Sequence, residues 1–110
     1  MDKSLLAGST ELLILKLLEQ EDMYGYQMIE TLREQSDHTF DLKAGTLYPL
    51  LHTLEQKGFV EVYVVPFGGR DRRYYHLTEA GRGQLQEKVQ QWQAYTQAVN
   101  RVLKGGVCYG

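Results

Sequence analysis

The sequence predicts an α+β, mainly α fold: a winged helix-turn-helix with a long C-terminal dimerisation helix. Three features carry that expectation. Residues 43–57 make a short amphipathic stretch that Gly58 closes. Two runs of alternating apolar and polar residues follow, joined by Pro66, Phe67, Gly68, Gly69, Arg70 and Asp71, which reads as a two-stranded flap tipped with arginine. From Thr78 a helical pattern continues to Lys104, where Gly105 and Gly106 interrupt it. The expected division is a winged unit over residues 1–77, a dimerisation helix over 78–104 and a disordered tail over 105–110.

Ser9 is placed to cap a first helix ending near Gln20, its hydroxyl accepting an orphan backbone N–H. Leu12, Leu13, Ile14, Leu15, Leu17 and Leu18 make that helix apolar nearly all round. Such a helix is covered on more than one side, and a short chain has little of its own to supply the second cover. One face is therefore expected on the domain core and another, including Leu13 and Leu17, against a partner subunit. A central helix wrapped wholly by its own domain is the alternative. Glu21 and Asp22 begin a turn, and a second helix over residues 24–36 places Tyr26, Met28, Ile29 and Leu32 inward. Gly25 in its first turn permits close approach of another backbone. Residues 39–42 alternate and suggest a minimal extended segment.

In the third helix Leu47, Leu50, Leu51 and Leu54 follow the i, i+3, i+4, i+7 rule and bury one face. The opposite face presents Gly45, Thr46, Pro49, His52, Thr53 and Gln56, small or hydrogen-bonding side chains of the kind that enter a major groove. Pro49 has no N–H to donate to Gly45 and biases Tyr48 away from helical angles. The helix is therefore expected to start near Thr46 or to open with a distorted turn. In the flap, Val60, Val62 and Val64 alternate with Glu61, Tyr63 and Val65, and Arg73, Tyr75 and Leu77 with Arg72, Tyr74 and His76. The pattern leaves open which face is buried.

Thr78 caps the last helix, and Glu79 complements the dipole in its first turn. The inner seam reads Leu85, Val89, Trp92, Thr96, Val99 and Leu103, alternating spacings of four and three. That heptad rhythm suits pairing with a second copy. Gly81 and Gly83 weaken the helix start.

The net charge of −2 does not advertise a nucleic-acid partner, but it is unevenly spread. Residues 43–76 hold Lys43, Lys57, Arg70, Arg72 and Arg73 against Glu55, Glu61 and Asp71, a local excess of two positive charges. Local field matters more than the total for docking on phosphate. Cys108 is the only cysteine, which excludes an internal disulfide. His38, His52 and His76 are dispersed, no cluster has zinc-ligand spacing, and no nucleophile–base pair is evident, so no enzyme, metal or cofactor is expected. The N-terminal stretch lacks signal-peptide character, and the longest apolar cluster, residues 12–18, is too short to span a bilayer. A soluble cytoplasmic protein is expected.

Gly45, Thr46, Leu47, Tyr48, Pro49, Leu50 and Leu51, with Leu54 and the stop at Lys57 and Gly58, closely resemble the recognition-helix signature of the PadR family of bacterial transcriptional regulators. Gly68, Gly69 and Arg70, with Arg73, Tyr74, Tyr75, His76, Leu77, Thr78, Glu79, Ala80 and Gly81, look like that family's wing and wing-to-helix junction. Tyr24, Gly25 and Tyr26 also fit, and the resemblance covers residues 8–104. It implies a homodimeric winged helix-turn-helix repressor of the short form, paired through its first and last helices. It further implies response to an effector, a small planar aromatic or cationic compound stacking on the tryptophan of the last helix, here Trp92; the wider set of pocket residues does not carry over as a motif, and Leu12 and Thr96 are the further candidate contacts. Plain seam packing of Trp92 is the competing reading.

Two copies about a twofold axis would present two third helices to successive major grooves and read a pseudo-palindromic double-stranded DNA operator. Lys43, Thr46, Tyr48 and His52 are the expected groove and phosphate contacts, and Arg70, Arg72 and Arg73 the wing contacts. Tyr48 borders the apolar stripe, so packing with its hydroxyl outward competes with DNA contact. Leu13, Leu17, Leu85, Val89, Trp92, Val99 and Leu103 are the expected dimer interface. The alternative function is a dimeric winged helix that docks proteins or mainly senses a small aromatic ligand.

Overall fold

Helix α1 (Lys3–Gln20) is the hub of the molecule, packing against α2 (Gly25–Gln35), strand β3 (Arg70–Leu77) and α4 (Glu79–Leu103). The computed structural model describes residues 3–105, with side chains from residue 8 onward, so Cys108 and the expected tail beyond Gly105 lie outside the described residues. The remaining elements are β1 (Met23–Tyr24), α3 (Ala44–Gln56) and β2 (Val60–Phe67). The strands form one antiparallel sheet in the order β1-β3-β2.

The expectation for α1 needs two corrections. The helix begins at Lys3 and runs through Ser9, which is buried within it rather than capping it. Leu5, Leu6 and Ala7 are strong helix formers, so nothing upstream forces a start at Ser9. Leu17, expected at a subunit interface, is only 2% exposed and belongs to the core with Ile14, Leu15 and Leu18. The second cover of this apolar helix is therefore largely the chain's own. Leu12 and Leu13 remain half-buried at its edge.

Helix α2 buries Gly25, Met28, Ile29 and Leu32, whereas Tyr26, expected inward, is 63% exposed because it falls one step off that stripe. The Gln27 side chain turns back to accept from the Tyr24 N–H at 3.4 Å, half of a capping box. Asp37 and His38 then adopt left-handed φ values of 52° and 63°, which reverse the chain toward α3. Residues 39–42 do not form a strand; Leu42 is instead a buried anchor ahead of the helix.

Helix α3 starts at Ala44, and Pro49 lies inside it without delaying its start. The N–H groups of Thr46 and Leu47 both donate to the Lys43 carbonyl at 3.0 Å, so the first turn closes normally. The bond that Pro49 cannot make falls on the exposed side of the helix, where water can satisfy the Gly45 carbonyl. Gly58, at φ 79°, ends the helix as expected.

The wing strands reach closer to the tip than the pattern implied. Gly68 and Gly69 alone make the turn, with φ 54° and 81°, the two consecutive positive values of a two-residue hairpin. The pairing Val60↔Leu77, Val62↔Tyr75 and Met23↔Tyr75 fixes the buried face: Met23, Val60, Tyr75 and Leu77 point to the core. Strand β1, two residues long, is too short to show alternation and exists only because β3 supplies its partner.

Thr78 locks the wing to α4. Its hydroxyl donates to the Gly58 carbonyl at 2.7 Å and accepts from the Gly81 N–H at 3.0 Å, while its own N–H donates to the Phe59 carbonyl at 3.1 Å. Glu11 completes the junction from α1, accepting from Gln84 at 3.1 Å with Lys88 at 3.8 Å. Leu85, also expected in the dimer seam, is buried in the core at 2% exposure.

Candidate nucleic-acid interface

Three residues of α3, Leu47, Leu51 and Leu54, are wholly buried and seat it against α2 and β2, with Leu50 half-buried beside them. Turning that stripe inward leaves Lys43, Gly45, Thr46, Tyr48, Pro49, His52, Thr53 and Gln56 exposed along the opposite side. The four residues here expected to meet DNA, Lys43, Thr46, Tyr48 and His52, are thus all accessible. Thr53 is partly engaged, its hydroxyl donating to the Pro49 carbonyl at 3.1 Å.

Tyr48 has two roles in the geometry. It is 46% exposed, yet its ring lies across the start of α2, where a Cβ added to Gly25 would sit 2.5 Å from the phenolic oxygen. The close approach permitted by Gly25 is therefore by the Tyr48 side chain, not by another backbone. Partial desolvation, with a smaller contribution from Tyr75, pushes the Tyr48 phenol above its ordinary pKa, so it stays a neutral donor near neutral pH.

Lys43, the residue preceding α3, is held by Asp41 at 2.7 Å, and Asp41 also accepts from Arg33 of α2 at 3.1 Å. The hydrogen bond from Lys43, followed by that from Arg33, holds the Asp41 carboxyl below its usual range. If Lys43 meets phosphate, a carboxylate at this edge would compete for it. Asp41→Asn is therefore expected to raise affinity for duplex DNA several-fold at low salt, and equilibrium titration by fluorescence anisotropy measures it. Unchanged or weaker binding would place Lys43 away from the phosphates.

The three wing arginines are not equivalent. Arg70 and Arg73 are exposed, and Arg73 comes within 4.0 Å of Glu55 on α3, which brings the wing alongside that helix. Arg72 is half-buried, its guanidinium 3.8 Å from the Phe67 ring centroid and 4.2 Å from that of Tyr24. A second outward cluster lies at the base of the wing. Asp22 accepts from the Tyr63 hydroxyl at 2.7 Å and lies 2.8 Å from His76 Nδ1. Partial burial would raise the Asp22 carboxyl, but the hydrogen bonds from Tyr63 and His76 outweigh it and the pKa is lowered; the same bond raises the Tyr63 phenol. Sequence reading missed both clusters because Tyr24 in the one and Asp22 in the other lie far in the chain from the wing residues they meet.

On α4, Trp92 is 45% exposed with Tyr95 tilted against it at 6.0 Å, while Thr96 is half-buried and Val89 packs partly on the core. Among the described residues, no group of His, Cys, Asp and Glu could hold a metal ion, and no helix is long and apolar enough to cross a membrane.

The family profile described as the transcriptional regulator PadR-like family matches residues 14–87, which span α1 to the first turns of α4. A PadR family transcriptional regulator from Eggerthella lenta shares 33% identity at a TM-score of 0.81, covering 91% of this chain and 86% of that one. The transcriptional regulator Rv3488 of Mycobacterium tuberculosis is 44% identical over 50% of this chain and 51% of its own length. Bacillus subtilis PadR, solved in complex with operator DNA, aligns at 25% identity and a TM-score of 0.67 over 73% of this chain and 45% of its own. The matched span contains α3, the wing and the Thr78 lock between wing and α4, and the family it matches is one of regulators of transcription rather than enzymes. By profile, sequence and fold alike, the chain belongs to the transcriptional regulator PadR-like family.

Proposed function

We propose that the protein is a homodimeric, sequence-specific DNA-binding repressor, acting in the cytoplasm and released or strengthened by a small planar aromatic effector. The observation that carries the reading is the shared exposed surface of α3 and the wing. Thr46, Tyr48 and His52 are exposed on a helix whose other side is locked by leucines, Lys43 is exposed just before it, and Arg73 of the exposed wing pair Arg70 and Arg73 comes within 4.0 Å of Glu55 on that helix. Side chains of this kind on an accessible helix suit base edges, and exposed arginines on a ribbon suit phosphate or the minor groove. The operator complex of Bacillus subtilis PadR supports a duplex as the partner.

A second copy is the natural cover for the outer part of α4. Beyond Val89 the helix leaves Trp92, Tyr95, Val99, Val102 and Leu103 exposed, and three of these belong to the heptad seam. Leu13, half-buried on α1, is the remaining candidate from the first helix, since Leu17 and Leu85 have no surface to offer. Twofold pairing would set two copies of α3 on successive major grooves, about 34 Å apart, and make the operator a pseudo-palindrome. Trp92, with Leu12 and Thr96, is the proposed platform for the effector, since flat aromatic ligands are commonly held by aromatic side chains.

The test is binding of the whole chain to random-sequence duplex DNA across a salt series, followed by selection of preferred sites from a random library. Affinity is expected to fall with salt by about 0.9 logarithmic units per phosphate contact for each decade of salt. Selected sites are expected to carry inverted half-sites. Absence of binding at low salt would favour a protein-docking module, and direct repeats or single half-sites would refute the twofold arrangement. Quenching of Trp92 by planar aromatic compounds reports the effector site, since it is the only tryptophan.

A further inference from the structure

The face of the sheet turned away from the core carries contacts that DNA binding does not by itself require. Tyr24 pairs with Tyr74, and Tyr74 with Tyr63, so three tyrosines stand side by side across the three strands. Tyr63 stacks on Tyr74 at 5.6 Å between centroids, and Tyr24 meets Tyr74 edge-on at 5.5 Å. One alternation nearer the tip, the Arg72 guanidinium lies between the rings of Phe67 and Tyr24, at 3.8 and 4.2 Å. At the base, Asp22 ties Tyr63 and His76 to the residue next to β1.

These contacts matter because of where β1 ends. It pairs only with Tyr74 and Tyr75, so from Arg73 outward the wing is a two-stranded ribbon with no third strand. Such a ribbon is marginally ordered on its own, and ordering it at the moment of binding costs affinity. Arg72 bridges the gap. It reaches from the unsupported part of the ribbon to the ring of Tyr24, the residue that leads directly into α2. Its guanidinium lies over two aromatic rings, whereas Arg70, at the turn, is exposed.

We propose that Arg72 is a positioning residue that sets the pitch of the wing so that Arg70 can reach phosphate, and that it makes no phosphate contact of its own. The inference rests on the DNA-binding reading above. It separates two arginines that sequence alone treats as equals, and it makes Phe67, which carries no charge, part of the DNA-binding apparatus.

The test measures affinity of the whole chain for random-sequence duplex DNA across a salt series, with folding of each variant checked by thermal unfolding. Arg70→Ala is expected to reduce the salt slope by about 0.9 for each engaged subunit. Arg72→Ala and Phe67→Ala are expected to reduce it by the same amount, although Phe67→Ala removes no charge. The double variant Arg70→Ala with Arg72→Ala is expected to match Arg70→Ala alone, because residues acting through one another are not additive. Phe67→Tyr, which keeps the stack, is expected to behave as wild type. A double variant with about twice the slope loss, or a Phe67→Ala variant with wild-type binding, would overturn the positioning role while leaving the DNA reading intact. Wild-type protein without salt-dependent binding would overturn both.

Discussion

Replacing Gly81 with alanine is expected to cost about 3 kcal/mol of stability, and replacing Gly83 with alanine to add about 1 kcal/mol. The two glycines lie one residue apart in the first turns of α4, and sequence alone reads both as helix-weakening. Their surroundings differ. A Cβ on Gly81 would be driven into the backbone carbonyl of Phe59, with the Leu77 Cδ1 at 2.5 Å. That carbonyl cannot retreat freely, because it accepts from the Thr78 N–H at 3.1 Å. Nor can Gly81 move away, since its N–H donates to the Thr78 hydroxyl, which in turn holds the Gly58 carbonyl. Around Gly83 no atom beyond its own stretch of helix backbone lies within 4 Å of the added methyl, so alanine there only removes backbone freedom from the unfolded chain. Urea unfolding at matched protein concentration measures both, since a linked dimer would otherwise make stability depend on concentration. A Gly81→Ala protein as stable as wild type would mean that the junction of wing and α4 is looser than described.

Val99→Asp is expected to convert a dimer to monomers and to weaken binding to a two-half-site duplex by about 100-fold or more, the loss of linkage between two sites. Val99 is 36% exposed within one chain and lies on the helix face that carries Trp92 and Leu103. In a dimer that face would be dry, and an aspartate there would be buried without a partner. The core of the monomer does not reach this far along α4, whose own buried residues are only Gly81 and Leu85, so folding of the winged unit should survive. Light scattering reads the assembly, and binding to a single half-site should persist at the affinity of one subunit. A stable dimer in the variant would move the seam elsewhere, with the edge of α1 around Leu13 the next place to probe.

Much of the winged unit was legible because its signals are local. The spacing of Leu47, Leu51 and Leu54 determines which side of α3 is buried, and hence which side Thr46 and His52 must occupy. The glycines at the wing tip, and Thr78 with Glu79 at the head of α4, are signals of the same kind. The α3 surface follows from them with no knowledge of what surrounds it. Expectations that depended on a distant neighbour failed, and so did three local ones: the cap at Ser9, the extended segment over residues 39–42 and the displaced start of α3. Tyr26 was expected inward and is exposed; Leu17 and Leu85 were expected at an interface and are core. Leu17 and Leu85 are covered by other elements of their own chain, whereas Tyr26 lies one step off the buried stripe of α2.

By itself, the sequence determined the order of elements, the buried stripe of α3 and the exposed surface that stripe implies, because helical and strand periodicities are properties of neighbouring residues. Only the tertiary structure decided the roles within that surface. It buried Ile14, Leu15, Leu17 and Leu18 of α1 within the chain's own core, brought a two-residue β1 to the edge of the wing, and filled the space above Gly25 with Tyr48. It also divided three similar arginines into two that face solvent and one enclosed between Phe67 and Tyr24. The physical reason is that a cation's availability is set by the groups within a few ångströms of it, and here one of those groups, Tyr24, comes from a strand far away in the chain.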